Sequence, residues 1–271
     1  MCKQLCTLFV LALWLALLPG WLTAKPEQQS QNILPQNTCV TCHAQIKSPL
    51  SVSNRYFEWH VSVHRDHLVG CEQCHGGDPT VKDKAKSHQE IVLPVANPQS
   101  KVHPNQLPQT CGTCHAETVA AFTTSRHYEK LKASGLGPNC TTCHAHMASA
   151  VVHSPTQAAA LCASCHNTIN GPLPARPEIP QKAQEVMEAI SRANAMLIWA
   201  DRLLEVGQDK KLDLTKETDQ MKTVRSLLKA GKTQWHALNF AAAREKADAS
   251  FEAGTKVKDQ LMKKLYPQAS P

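Results

Sequence analysis

Five copies of one pentapeptide pattern, Cys-x-x-Cys-His, crowd into 128 residues of this 271-residue chain. They are Cys39-Val-Thr-Cys42-His43, Cys71-Glu-Gln-Cys74-His75, Cys111-Gly-Thr-Cys114-His115, Cys140-Thr-Thr-Cys143-His144 and Cys162-Ala-Ser-Cys165-His166. The pattern is the attachment signature of c-type haem. Two thiols add to the haem vinyl groups and fix one edge of the porphyrin, so the next residue can place an imidazole under the iron as proximal ligand. Zinc ribbons also use Cys-x-x-Cys, but they take the pairs two at a time and require no following His. Here the number of pairs is odd, and each is followed by His. With 14 His in the chain, chance would produce that roughly once in a few million. The motifs use ten of the 12 cysteines, and the other two, Cys2 and Cys6, lie near the N-terminus.

Five haems on so short a segment leave too little polypeptide for an ordinary side-chain core. The expected fold is mainly α with extensive loops: short helices and turns wrapped around haems that themselves form much of the interior. From about Glu178 the texture changes. Cysteine disappears, and Ala, Lys, Glu and Leu dominate after Pro172, Pro174, Pro177 and Pro180. Val186, Ile190, Ala193, Leu197, Ala200 and Leu204 recur at helical spacing, with Gly207 as a stop. A second helix is expected over about 215–230, interrupted at Gly231, and a third over about 233–265. The domain reading is a signal peptide at 1–24, a pentahaem cytochrome c domain at 25–175 and a C-terminal helical bundle at 176–271.

The N-terminal segment has Lys3, an apolar run from Leu5 to Leu18, a Pro19-Gly20 break and Ala24. That is the layout of a secretory signal peptide. Export to the periplasm follows from it, and an uncleaved anchor extended by Trp21 and Leu22 is the alternative. Cys6 lacks a lipoprotein context. The net charge of +7 does not point to nucleic acid. A ferric c-type haem with ionised propionates contributes about −1, so five nearly cancel the excess.

Nine histidines lie outside the motifs: His60, His64, His67, His88, His103, His127, His146, His153 and His236. Each of the last four motifs has one shortly upstream, namely His64, His103, His127 and His153. There is also an internal repeat, in which Trp59-His60-Val61-Ser62-Val63-His64 matches Phe122-Thr123-Thr124-Ser125-Arg126-His127 as aromatic-x-x-Ser-x-His. Both copies fall between motifs. The candidate distal ligands are His64, His127, His103, His153, His88 and His236. His146, two residues from His144, is poorly placed to reach the opposite face of the same iron.

These interleaved segments, followed by a helical C-terminal region, resemble multihaem cytochromes c of the hydroxylamine oxidoreductase and ammonia-forming nitrite reductase superfamily. That resemblance implies closely stacked haems passing electrons along a chain. It implies catalysis less. All five motifs end in His, whereas the nitrite reductases of that group carry Lys in the motif of the active haem. Tyr56, Tyr128 and Tyr266 are the only tyrosines available for the haem cross-link of the hydroxylamine oxidoreductases, and none sits clearly beside a motif. The functional expectation is a periplasmic pentahaem carrier with mostly bis-His haems. The alternative is an oxidoreductase acting on a small nitrogen or sulfur compound at one open haem. The implied partners are other redox proteins, a quinol-linked donor or a terminal reductase, and the C-terminal helices offer a homodimer surface. Pyridine haemochrome analysis combined with intact mass is expected to give five covalent haems per mature chain, and four or fewer after full maturation would contradict this reading.

Overall fold

The computed structural model describes Leu34 and residues 36–148, 150–167 and 176–267. The expected signal peptide, Pro172 and Pro174 lie outside them. Short helices make up the N-terminal part: α1 Thr38–His43, α2 Leu50–His60, α3 Val63–Asp66, α4 Cys71–His75, α5 Lys84–His88, α6 Leu107–Gly112, α7 Ala116–Thr123, α8 Arg126–Ser134, α9 Cys140–His144 and α10 Pro155–His166. Three long helices follow: α11 Glu178–Asp209, α12 Thr215–His236 and α13 Phe240–Leu265. No strand occurs among the described residues, so the chain is mainly α.

The short helices begin where a side chain can satisfy the free backbone N–H groups of a first turn. Asn37 accepts from the N–H of Val40, Ser62 from Arg65, Asp83 from Lys86 and Ser125 from Tyr128. Asn139 caps α9 in a reciprocal box with Thr142, and Ser154 caps α10. Few apolar side chains are buried here. Trp59, Leu131 and Ala158 are the fully covered hydrophobic residues of the N-terminal part among those described.

The C-terminal part is built differently. Ala183, Val186, Ile190, Ala193, Ala200, Leu203 and Leu204 form a continuous buried stripe on α11. Val186, Ala189, Ile190 and Ala193 pack against Leu228, Ala243 and Ala247 at one end of the bundle. Ala200, Leu203 and Leu204 pack against Met221, Val224, Val257, Leu261 and Leu265 at the other. Glu217, only 2% exposed, is met by the Lys264 ammonium at 2.8 Å.

The glycines do not act as the stops expected of them. Helix α11 runs past Gly207 to Asp209, and a Cβ at Gly207 would stand 2.7 Å from Leu214 Cδ1. Helix α12 runs through Gly231 to His236. At Gly231 the backbone of α13 comes close enough that a Cβ would sit 3.2 Å from the Ala243 carbonyl oxygen. Both glycines therefore permit close packing. The break between the last two helices falls instead at Leu238, whose φ is +57°, and Asn239 caps the helix that follows by accepting from Ala242.

The bundle is joined to the N-terminal part along α10, which packs on α11, and through α7, which packs on α12. Lys229 pairs with Glu117 at 2.5 Å across the latter contact. Leu261 is fully buried, so Leu261→Ala is expected to destabilise the bundle by about 2–5 kcal/mol, read as a lowered midpoint of far-UV thermal unfolding.

Candidate haem-binding site

Each Cys-x-x-Cys-His motif forms one helical turn. Positions i, i+3 and i+4 lie on one side of a helix, so both thiols and the imidazole are presented together. In the first, second, fourth and fifth motifs the turn belongs to α1, α4, α9 and α10. In the third it continues beyond the end of α6, with the His115 N–H donating to the Cys111 carbonyl at 2.9 Å. All ten thiols are free and none is paired as a disulfide. Among the described residues no three His, Cys, Asp or Glu side chains converge on one point, so the cysteine pairs do not come together as zinc sites.

Four motif histidines face a second imidazole. Ring centroids are 6.2 Å apart for His43 and His88, 6.2 Å for His64 and His115, 6.1 Å for His127 and His166, and 6.3 Å for His144 and His236. An imidazole nitrogen binds a first-row metal at about 2.0 Å, and its ring centroid lies about 1.1 Å further out, so two rings on opposite sides of one ion stand roughly 6 Å apart. The gap between each pair thus fits one six-coordinate iron.

Hydrogen bonds set the tautomer needed for such a ligand. A ligating His commonly donates its other ring N–H to a backbone carbonyl or carboxylate. His88 Nδ1 lies 2.8 Å from the Lys84 carbonyl, His236 Nδ1 lies 2.8 Å from the Lys232 carbonyl, and His144 Nδ1 lies 3.0 Å from the Ala150 carbonyl. Each contact places a proton on Nδ1 and leaves the Nε2 lone pair free. The His64 imidazole also meets the backbone of Met147. The exception is His166 Nδ1, which is buried without a partner. Burial, together with the facing ring, pushes the imidazoles of His43, His64 and His127 below their usual range. Burial does the same to His75 and His236. All five are therefore biased toward the neutral form that binds metal.

The internal repeat now has a structural meaning. Trp59 and Phe122 lie at the ends of α2 and α7. Ser62 and Ser125, both buried, cap the helices that follow, and His64 and His127 sit in the first turns of α3 and α8. The Ser62 hydroxyl also donates to the Trp59 carbonyl at 2.7 Å, and the Trp59 indole donates to the Val69 carbonyl at 2.9 Å. Each repeat is thus a rigid bracket that aims one imidazole. Neither imidazole meets the next motif in sequence: His64 skips the second motif to face the third, and His127 skips the fourth to face the fifth.

Other candidates are placed differently. His103 Nδ1 accepts from the Asn105 N–H at 3.2 Å. That puts its ring proton on Nε2, the opposite of the arrangement at His88 and His236. His153 is exposed at the cavity wall and faces no motif histidine. His60 stacks on Tyr56 with centroids 5.7 Å apart. Tyr128 packs edge-on against Phe122, and Tyr266 lies under the Lys210 ammonium.

The motifs surround one connected cavity of about 3800 Å³, lined by all ten cysteines and all five motif histidines. Single small-molecule sites occupy about 300–1,000 Å³, so this space suits several large groups. Thiols of consecutive motifs are electrostatic neighbours: Cys39 with Cys71, Cys74 with Cys114, Cys111 with Cys140, and Cys143 with Cys162 and Cys165. The five motifs therefore follow one another in space in chain order. Burial pushes the Cys71 thiol up to about 12 and the Cys162 thiol up to about 11.

Over 90 residues, a third of the chain, the sequence is 28% identical to the C-type polyheme cytochrome OmcC of Geobacter sulfurreducens. The match spans 11% of that protein's length. No family model and no solved structure matches the chain. The partial similarity supports a multihaem c-type cytochrome, in agreement with the paired imidazoles and the shared cavity.

The Ser caps offer a direct check on the brackets. Ser125→Ala removes a buried N-cap and is expected to cost about 1 kcal/mol, read as a lowered denaturant midpoint. Ser125→Asp, which restores an acceptor, is expected to recover most of that loss.

Proposed function

We propose that this protein is an exported pentahaem cytochrome c that carries electrons between redox partners. When bound, the haems supply one-electron exchange between ferric and ferrous iron. The supporting observation is the set of four imidazole pairs at 6.1–6.3 Å, each joining one motif histidine to one other. The proposed axial pairs are His43 with His88, His115 with His64, His144 with His236, and His166 with His127. Each pair of imidazoles would hold one haem iron from its two sides, and the haem would supply one-electron exchange there. Helix caps, Nδ1 contacts and burial then set the potential at each site.

The chain-order succession of motifs supports a linear path from the first site to the fifth. Contacts between the helices of neighbouring motifs tighten it. The Thr38 N–H and hydroxyl both donate to the Pro79 carbonyl, at 2.8 and 2.9 Å, and Asn37 donates to Glu72 at 2.9 Å. The first and second motifs are thereby clamped together.

The finer kinship remains the resemblance to the hydroxylamine oxidoreductase and nitrite reductase superfamily, supported by the repeated Ser-capped histidine brackets. Periplasmic location is supported by the layout of the N-terminal sequence. Among the described residues no helix is long and apolar enough to cross a membrane. Partners are inferred to be other redox proteins, such as a quinol-linked donor or a terminal reductase, and the C-terminal helices remain a candidate homodimer surface.

The experiment is a count of spin states by low-temperature EPR and visible absorption on the haem-loaded protein and its variants. His88→Ala, His64→Ala, His127→Ala and His236→Ala are each expected to convert one low-spin haem to high-spin and to shift one potential. His60→Ala is expected to leave the spectrum unchanged. Normal spectra for all four ligand variants would remove the proposed axial pairs.

A further inference from the structure

The four imidazole pairs are not equivalent, and their ring planes differ first. The two rings lie 15° apart for His144 and His236, 24° for His127 and His166, 37° for His43 and His88, and 58° for His64 and His115. Two parallel imidazoles on one iron donate into the same d orbital and raise it above its near-degenerate twin. Low-spin ferric iron lacks one electron in that pair of orbitals, so it gains from the splitting. Low-spin ferrous iron fills both and gains nothing. Parallel rings therefore favour the ferric state, and turning one ring toward the perpendicular removes the advantage.

The hydrogen bonds differ in the same sense. At the fourth motif both imidazoles are tied through Nδ1, His144 to the Ala150 carbonyl at 3.0 Å and His236 to the Lys232 carbonyl at 2.8 Å. A donated Nδ1–H leaves more electron density on Nε2, and the stronger donor stabilises the more highly charged ferric iron. At the first motif such a contact holds His88, 2.8 Å from the Lys84 carbonyl. At the fifth, His166 Nδ1 is buried without a partner. Lys232, one turn before His236, acts the other way, but it is exposed and its ammonium faces Asn194, where solvent and salt screen it.

We propose that His144 and His236 make the fourth site the hardest of the four paired sites to reduce, and that the fifth site beyond it is easier. This rests on the reading that each pair holds a haem iron. An electron delivered by a redox donor at the first motif then meets an uphill step between the third site and the fifth. One electron moves at each exchange: ferric iron becomes ferrous at one site while ferrous becomes ferric at its neighbour, and no bond breaks. Helix α12, which carries His236, thus divides the path into two electron pools.

The test is a potentiometric titration of the haem-loaded protein followed by low-temperature EPR. His88→Met, His64→Met, His127→Met and His236→Met each keep a sixth ligand but substitute one that raises the potential, so each marks one component of the wild-type titration. The component marked by His236→Met is expected to be the most negative of the four, and the one marked by His127→Met to lie above it. The signal lost in His236→Met is expected to show the three resolved features of near-parallel rings rather than the single low-field feature of strongly tilted ones. A more negative component marked by any other variant would overturn the proposal. So would a single-feature signal at the fourth site, or an unmoved titration in His236→Met alone. If His236→Met does not accumulate, the other three variants still mark the first, third and fifth sites. A three-feature component must then lie below all of those, and its absence would overturn the proposal as well. No moved component in any of the four variants would instead count against the axial pairs themselves.

Discussion

Two imidazoles facing each other across 6 Å gain almost nothing from one another. Their rings are too far apart to pack. Four such pairs nevertheless line the cavity, and Nδ1 contacts to backbone carbonyls hold His88, His144 and His236. Only something placed between the rings gives the arrangement an energetic reason. Trp59, Leu131 and Ala158 are too few to hold ten short helices together. The cavity is therefore the core of this region before it is filled. On the proposed reading, covalently held haems supply the apolar area that the side chains do not.

The bundle has the opposite economy. Its interior is aliphatic and closes on itself through α11, α12 and α13, with small residues at the tightest approaches. Its surface ion pairs, such as Arg244 with Glu185 at 3.0 Å and Arg192 with Asp248 at 3.0 Å, are exposed and contribute little. The packed interior carries the stability. That gives the N-terminal part a rigid wall, and α12 delivers His236 from that wall to the fourth motif. The textures of the two regions are distinct in sequence, but the site draws on both.

Much of this was legible in the sequence, for identifiable reasons. The motifs need no tertiary context, because thiols and imidazole at i, i+3 and i+4 are arranged by one helical turn. The bundle was visible because its buried stripe has a clear helical period. The pairing of His64 with His115 and of His127 with His166 was not visible, because spacing favours the nearest motif and the fold skips one. His236 was one of six distal candidates, and nothing in its spacing tied it to the fourth motif. The role of Gly231 was misread because a glycine that ends a helix and one that admits a neighbouring backbone look alike without that neighbour. The tautomer of His103 depends on a backbone N–H two residues away, which spacing does not reveal.

The distance along the chain between facing histidines also bears on how the protein is made. Three pairs join residues a few dozen positions apart, while His144 waits for a partner roughly twice as far downstream. Each doubling of a closed loop adds only about 0.6 kcal/mol of entropy, so the thermodynamic penalty is small. The order of events is a different matter. A chain emerging from its N-terminus presents His88 to His43 first, then His115 to His64, then His166 to His127. The fourth site stays unmatched until α12 has emerged and docked. Pairing of His144 therefore reports that α12 has docked, and on the proposed reading a chain cut short before residue 236 would carry an unfinished centre in the middle of its path.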